Sequence, residues 1–273
     1  MSSEHTTMTA STEPVLPSPI LVSVEAGLLT IAFNRPEKKN SITSAMYQTM
    51  VDALASAEQD PAVRAVLFRG SQEIFSAGND LEDFMKRPPA GSDSPVVQFL
   101  TCISTASKPV LAAVAGPAVG IGTTLLLHCD MVYAADTARF SLPFAALGLC
   151  PEAASSLLLP QIAGYQRAAE KLLTGDAFDA QEAFAMGFVN KVLPAGEVLA
   201  YANAQARKLV ALPPASLRVT KSLLKGGAGG QAKIAERIGE ELTHFSQMLR
   251  GPEAREAMRA FFEKRKPDFS RFS

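Results

Sequence analysis

Short apolar runs alternate with helical patterns through the first half of the chain. Ile20–Val24 and Leu28–Phe33 predict two strands joined by a turn at Gly27. Between later runs, Ser44–Glu58 predicts a helix, because its apolar residues recur every four positions and so share one face. Further runs suited to strands buried on both faces occur at Val63–Phe68, Val110–Ala115, Met131–Ala134 and Ala138–Leu142.

After Pro151 the pattern becomes almost wholly helical. Strands alternate with helices first and helices follow, which predicts an α/β core with a helical C-terminal segment. We expect a disordered tail over residues 1–19, a core over 20–211 and a helical segment over 212–273. The stretch Asn79–Pro95 is polar and rich in proline, and we expect it to be mobile. Helices are expected at Glu152–Ile162, Gln166–Leu173, Ala180–Met186, Glu197–Ala211, Pro214–Leu224, Ala232–Leu249 and Pro252–Lys264.

Composition and charge favour a cytoplasmic protein with a sizeable buried core. Hydrophobic residues make up 47% of the chain and charged residues 19%, and the formal net charge is −1. This balance argues against nucleic acid or an anionic membrane as a partner. The three cysteines, Cys102, Cys129 and Cys150, lie in apolar stretches and are expected to be reduced thiols. The first residues have no apolar core of the kind that a signal peptide needs.

Two glycine-bearing segments follow predicted strands and are candidates for backbone contact with a ligand. The first is Phe75-Ser-Ala-Gly-Asn-Asp-Leu81, where small residues would let the backbone approach a ligand closely. The second is Ala115-Gly-Pro-Ala-Val-Gly-Ile-Gly-Thr123, where a strand gives way to a helix whose first N–H groups favour developing negative charge. Each segment alone is equally compatible with a tight turn.

A third segment, Leu142–Ser156, contains Glu152 in otherwise apolar and small-residue surroundings. One interpretation is structural, since Pro151 suits the first turn of a helix and a glutamate there complements the helix dipole. The other is chemical, because a carboxylate among apolar groups has a raised pKa and can shuttle a proton. No His, Cys, Asp or Glu spacing indicates a metal site, and no phosphate-binding loop or nucleophile elbow is present.

Four segments in this order resemble the crotonase superfamily, also called the enoyl-CoA hydratase/isomerase family. They are Phe33-Asn-Arg-Pro-Glu-Lys-Lys-Asn40, the Phe75–Leu81 segment, Lys108–Gly116 with Cys129-Asp130, and Phe261-Phe-Glu-Lys-Arg-Lys266. The resemblance covers about Ile20 to Phe269. It implies a spiral of β-β-α units, C-terminal helices that build a homotrimer or a hexamer, and an acyl-CoA thioester as substrate without a separate cofactor.

The resemblance also implies roles for individual residues. The peptide N–H groups of Asn79 and Ile121 would form an oxyanion hole for the thioester oxygen. Phe261 and Lys264 match positions that reach coenzyme A, in related enzymes partly from a neighbouring subunit. The remaining residues expected to line the substrate site are Arg35, Lys38, Asn40, Ser76, Ala77, Gly78, Asp80, Gly120, Thr124 and Phe144.

Two of these positions depart from the pattern of the hydratases in the family. Those enzymes use two glutamates to activate water, and here the matching positions hold Thr124 and Phe144. The Pro143–Ser156 segment instead resembles monofunctional Δ3,Δ2-enoyl-CoA isomerases of the peroxisomal type, in which the glutamate matching Glu152 is the single acid and base. The resemblance therefore implies an isomerase that moves a double bond from C3 to C2.

Three alternatives stay open on the sequence. The chain could be an enoyl-CoA hydratase or another crotonase-type acyl-CoA enzyme, because a fold does not determine one reaction. It could be an RNA-binding member of the family, although it has no dense cluster of lysine and arginine. It could also be a catalytically inactive homologue.

Overall fold

The computed structural model describes residues 18–88 and 91–272. The tail expected over residues 1–19 therefore lies almost wholly outside the described residues. The strands are β1 (Ile20–Glu25), β2 (Leu28–Phe33), β3 (Ala65–Arg69), β4 (Val110–Val114), β5 (Pro117–Val119), β6 (Met131–Ala135), β7 (Arg139–Ser141), β8 (Phe178–Asp179) and β9 (Lys191–Leu193).

The α-helices have the following bounds: α1 (Ser44–Gln59), α2 (Leu81–Lys86), α3 (Pro95–Thr105), α4 (Ile121–Thr124), α5 (Ser155–Ala163), α6 (Tyr165–Thr174), α7 (Ala180–Ala185), α8 (Val198–Val210), α9 (Pro214–Leu224), α10 (Gly227–Leu249) and α11 (Pro252–Phe262). Thr43 caps α1 by accepting a hydrogen bond from the Met46 N–H. Asp60-Pro61 follows the end of this helix.

A six-stranded sheet in the order β1-β2-β3-β4-β6-β9 forms the centre of the fold. β1 pairs antiparallel with β2, and the other neighbours pair in parallel. β4 is buried along its whole length, as expected of a parallel strand covered on both faces. One face packs against α1 and α3 through side chains such as Met50 and Phe99, and the other packs against α8 through Ala202 and Ala206.

A second, three-stranded sheet joins β5, β7 and β8. β5 pairs in parallel with β7, and an isolated bridge links Ser76 to Ala118 within β5. A further bridge links Ile42 to Asn79. The segment around residues 76–79 is thus held between the start of the α1 region and β5, next to the turn that opens α4.

Helix α10 crosses the α/β core and packs against α3 and α5. Its buried residues recur at three- and four-residue spacing, as in an amphipathic helix with one face turned inward. These residues are Ile234, Ile238, Glu241 and Phe245. No helix among residues 18–88 and 91–272 is long and apolar enough to cross a membrane.

Several stretches differ in detail from the sequence-based expectation. The helix expected from Glu152 begins at Ser155, because Ala153 and Ala154 adopt left-handed φ angles of 58° and 55° that an α-helix excludes. The polar stretch Asn79–Pro95 contains α2, whose start is capped by Asp80, and the expected mobility of this stretch stays a prediction. The helix expected after the second glycine-bearing segment is the short α4, which is followed by a 3-10 turn at Leu125–His128.

Candidate active site

Glu152 lies in a loop between the second sheet and α5, and its side chain faces a mostly apolar cavity. The loop precedes the two left-handed alanines, so Glu152 is not part of the helix that follows. This placement excludes the interpretation of Glu152 as a glutamate of the first helical turn. The cavity is lined by Asn79, Phe84, Val96, Leu100, Glu152, Ala153, Ile238, Glu241, Leu242 and Phe245.

The pKa of the Glu152 carboxyl is raised to about 8. Burial is the largest cause, because a carboxylate loses hydration in apolar surroundings. A hydrogen bond from Thr124 acts in the opposite direction, and the nearby carboxylate of Glu241 adds to the rise. A pKa in this range suits a group that must both accept and return a proton near neutral pH.

Thr124 is fully buried, and its hydroxyl donates a hydrogen bond to Glu152 Oε1 at 2.5 Å. Thr124 is the last residue of α4, the helix that begins at Ile121. Among the described residues, Thr124 has the one side chain that forms a hydrogen bond with the Glu152 carboxylate. The sequence predicted a substrate-lining position for Thr124. The structure places its hydroxyl against the candidate acid, and a contact between Thr124 and substrate stays a prediction.

The Asn79 N–H points away from the bridge that Asn79 makes with Ile42. The carbonyl of Gly78 accepts a hydrogen bond from the Ile42 N–H at 2.8 Å. In a trans peptide the C=O and the following N–H point in opposite directions. The Asn79 N–H therefore faces away from Ile42, and it has no hydrogen-bond acceptor in the part of the chain that the structure describes.

The Ile121 N–H is similarly available at the start of α4. The carbonyl of Gly120 accepts hydrogen bonds from the N–H groups of Thr123 and Thr124, which directs it into the helix. The N–H of Ile121 in the same peptide unit therefore points out of the helix, as the first N–H groups of a helix do. Within 18–88 and 91–272 it likewise has no acceptor.

Glycines bring these two N–H groups onto neighbouring backbone segments. Gly78 has a φ of 85°, and a Cβ at this position would lie 2.7 Å from the carbonyl oxygen of Val119. A Cβ at Gly122 would lie 2.8 Å from the carbonyl oxygen of Ser76. Only glycine permits this close approach between residues 76–79 and the turn into α4.

Several residues expected to contact substrate hold the site together. Arg35 Nη1 donates to Asp80 Oδ2 at 2.7 Å, which ties the segment after β2 to the start of α2. Asn40 is buried and bridges the Arg35 N–H to the carbonyls of Ile74 and Phe75. Ser76 is buried as well, where its hydroxyl donates to the Asn40 carbonyl and accepts from the Gly78 N–H. These side chains are satisfied by protein partners.

The other expected contact residues lie in different settings. Phe144 is buried in the core, Lys38 is exposed and Ala77 is half-buried. Phe261 and Lys264 are exposed at the end of α11, outside the cavity that contains Glu152. In the part of the chain that the structure describes, neither Phe261 nor Lys264 lines the cavity, and their expected role in binding coenzyme A stays a prediction.

Three residues of the site were not predicted from the sequence. Tyr47 donates its hydroxyl to Asn79 Oδ1 at 2.6 Å, and burial together with the charge of Glu152 raises its pKa. Glu241 on α10 accepts hydrogen bonds from Ala154 and Ser156. His128, in the 3-10 turn after α4, bonds through Nε2 to the Ala153 carbonyl. Each contact joins residues far apart in the chain, so no local pattern indicates it.

This arrangement can move a proton beside an anion. A buried carboxyl of raised pKa can take and return a proton, while two free N–H groups can hold an oxygen on which negative charge develops. Across the described ranges, no group of three or more His, Cys, Asp or Glu side chains could hold a metal ion.

The family model described as enoyl-CoA hydratase/isomerase matches residues 23–271. The chain belongs to the enoyl-CoA hydratase/isomerase family. The resemblance noted in the sequence is therefore confirmed. An enoyl-CoA hydratase/isomerase of known structure from Pseudoalteromonas atlantica T6c matches with a TM-score of 0.88 and 38% identity, over 92% of this chain and 100% of that chain. The expected crotonase-type α/β fold with C-terminal helices is confirmed as well.

Relatives in this family carry the names of both isomerases and hydratases. The chain is 41% identical to rat (Rattus norvegicus) enoyl-CoA delta isomerase 2 over 212 residues, which cover 76% of this chain and 54% of that protein. It is 34% identical to a putative enoyl-CoA hydratase of Thermus thermophilus, over 91% of this chain and 100% of that protein. The match thus spans about half the length of the mammalian isomerase, and the names alone do not decide between the two reactions.

Proposed function

We propose that this family member is a Δ3,Δ2-enoyl-CoA isomerase with Glu152 as its single acid and base. The observation that carries the proposal is the state of Glu152, a cavity-facing carboxyl of raised pKa whose one described hydrogen-bond partner is the Thr124 hydroxyl. Water addition requires a second acid or base, and the two positions that resemble the hydratase glutamates hold Thr124 and Phe144. Neither side chain can replace a carboxylate.

The proposed reaction moves one proton and one double bond. Ionised Glu152 takes a proton from C2 of a 3-enoyl thioester, and the electron pair delocalises into a dienolate. The N–H groups of Asn79 and Ile121 hold the dienolate oxygen. Protonated Glu152 then returns the proton to C4, which leaves the double bond between C2 and C3 and regenerates the carboxylate.

The apolar part of the cavity suits the acyl chain of such a substrate. Phe84 on α2, Val96 and Leu100 on α3, and Ile238 and Phe245 on α10 surround Glu152. The cavity has a free volume of about 30 Å³, which is small beside the roughly 300–1,000 Å³ of a ligand pocket. An acyl chain needs more room, so we expect these side chains to move apart on binding.

A hydratase is the second candidate because another carboxylate, Glu241, also borders the cavity. Two carboxylates could in principle divide the activation of water between them. Three donors from Ala154 and Ser156 already occupy the oxygens of Glu241, which argues against a direct role in proton transfer. By resemblance to the family, we also propose coenzyme A as the carrier of the acyl group and a homotrimer or hexamer as the assembly.

The test is a comparison of double-bond migration and hydration on purified protein. Conversion of 3-enoyl-CoA and hydration of 2-enoyl-CoA are measured at matched concentrations over several chain lengths. We expect migration to exceed hydration by at least about 100-fold, the usual contribution of one general acid or base. Faster hydration would show that the isomerase assignment is wrong.

A further inference from the structure

The loop that carries Glu152 has an unfavourable backbone. Ala153 and Ala154 both have left-handed φ angles, 58° and 55°. This conformation costs a non-glycine residue roughly 1–2 kcal/mol, and it persists where neighbouring groups hold it. The loop therefore depends on contacts from outside its own sequence.

Two other elements supply these contacts. His128, in the 3-10 turn after α4, bonds through Nε2 to the Ala153 carbonyl at 2.8 Å. Because burial lowers the pKa of His128 to about 4, its ring is neutral near pH 7 and Nε2 is the donor. The second contact comes from Glu241 on α10. His128 precedes the Glu152 loop in the chain, and Glu241 follows it.

Glu241 holds three donors at once. One carboxylate oxygen accepts from the Ala154 N–H at 2.6 Å, and the other accepts from the Ser156 N–H at 3.0 Å and the Ser156 hydroxyl at 2.6 Å. The side chain is 5% exposed. It thus caps the first turn of α5 from a distant helix and fixes the backbone on the C-terminal side of Glu152.

We propose, on the basis of the isomerase function above, that Glu241 is a positioning residue that holds the Glu152 loop and places a second negative charge behind it. The hydrogen bonds orient the backbone that carries Glu152. The charge favours the protonated form of Glu152, which is the form that returns the proton. A residue that only supported the fold would supply the first effect without the second.

The other groups around Glu152 do not duplicate this charge. Tyr47 on α1 is neutral because its pKa is raised, and Thr124 on α4 is not ionisable near neutral pH. Burial raises the pKa of the Cys150 thiol to about 11, which keeps it neutral. Arg237 on α10 lies 3.4 Å from the Ser156 hydroxyl. Burial raises the pKa of Glu241, and the donors on Ser156 and Ala154 and the charge of Arg237 oppose that rise. Both Glu241 oxygens accept hydrogen bonds, so the group is held as a carboxylate.

The test compares Glu241→Gln with Glu236→Gln. Glu236 is exposed on the same helix, so its variant removes an equal charge outside the site. In Glu241→Gln we expect kcat for migration to fall at least about tenfold, with a smaller change in KM. We also measure kcat/KM as a function of pH. Its acidic limb, where kcat/KM falls as Glu152 becomes protonated, should move to lower pH, because removing a like charge lowers the pKa of Glu152. Glu236→Gln should stay within about twofold of wild type with an unmoved limb.

Wild type is assayed first. Absence of migration in wild type overturns the isomerase function and this inference with it. If wild type is active, an unchanged kcat and limb in Glu241→Gln overturn this inference alone. A lower kcat with an unmoved limb would show a purely structural role and would also overturn it.

Should Glu241→Gln fail to fold, Ser156→Ala decides, because it removes one of the three donors. Its kcat should fall at least about threefold, and wild-type kcat would contradict the proposal.

Discussion

At the scale of single residues, the chemistry of the site depends on one carboxyl group. The apolar context of Glu152 was visible in the sequence, and it correctly indicated a raised pKa. The partners that tune this group were not visible, since Thr124 lies 28 residues earlier and Glu241 lies in α10. Only the fold brings these side chains together.

Replacing Thr124 by valine tests the opposing effect of its hydroxyl. The hydrogen bond favours ionised Glu152 and lowers its pKa, so Thr124→Val should raise this pKa above the value of about 8 in the wild type. Because Glu152 must be ionised to take the C2 proton, the acidic limb of the kcat/KM profile should move to higher pH. At pH 7 the rate should fall about tenfold for each pK unit of movement.

Thr124→Ser is the matched control because it keeps the hydroxyl. Its limb should stay close to that of wild type. A limb that moves downward in Thr124→Val would contradict the role assigned to this hydrogen bond.

At the scale of elements, the parallel strands were predicted well and the boundaries at the site were not. Continuous apolar runs mark β3, β4 and β6, because strands covered on both faces need apolar side chains throughout. The predicted start of α5 was wrong by three residues, because Ala153 and Ala154 adopt a left-handed conformation that alanine does not favour. Such conformations depend on tertiary contacts, which local patterns do not encode.

Substitution of Gly78 tests whether the contact between two backbone segments forms the proposed oxyanion hole. Gly78→Ala would place a Cβ against the Val119 carbonyl in a residue with positive φ. We expect the free energy of unfolding to fall by roughly 1–3 kcal/mol and kcat to fall with it, as the Asn79 N–H is displaced. Thermal unfolding and the migration assay measure the two effects.

Gly239→Ala is the control for that substitution. Gly239 lies within α10, is exposed, and has nothing within 4 Å of the added Cβ. Alanine there should stabilise the protein by roughly 0.5–1 kcal/mol and leave kcat unchanged. If Gly78→Ala behaves like Gly239→Ala, the close approach at Gly78 is not needed for activity.

At the scale of the whole molecule, a single chain does not bring all the residues expected to bind substrate to one cavity. The resemblance to the family supplied the fold, which the solved relatives confirm, but the expected coenzyme A contacts at Phe261 and Lys264 are exposed away from the cavity. On α9, Leu223 is 73% exposed and Leu224 is 83% exposed, and the homotrimer or hexamer proposed above would cover apolar residues of this kind. A site completed by a neighbouring copy would account for both features.

Lys264→Ala tests the expected coenzyme A contact. Removing a lysine that pairs with a phosphate should weaken binding of CoA thioesters more than binding of matched thioesters without the 3′-phosphate. Titration calorimetry with both ligand series measures the difference. Equal losses in the two series would show that Lys264 does not contact that phosphate.

The central claim, that Glu152 is the acid and base of a double-bond migration, is tested most directly by the migration rate of Glu152→Gln. Glutamine keeps the shape of the side chain and cannot accept the C2 proton. With folding confirmed by circular dichroism and CoA-thioester affinity retained, kcat for conversion of 3-enoyl-CoA to 2-enoyl-CoA should fall by about 100-fold to 10,000-fold. A kcat within about threefold of wild type would contradict the account, because no loss of that size fits the removal of a general base.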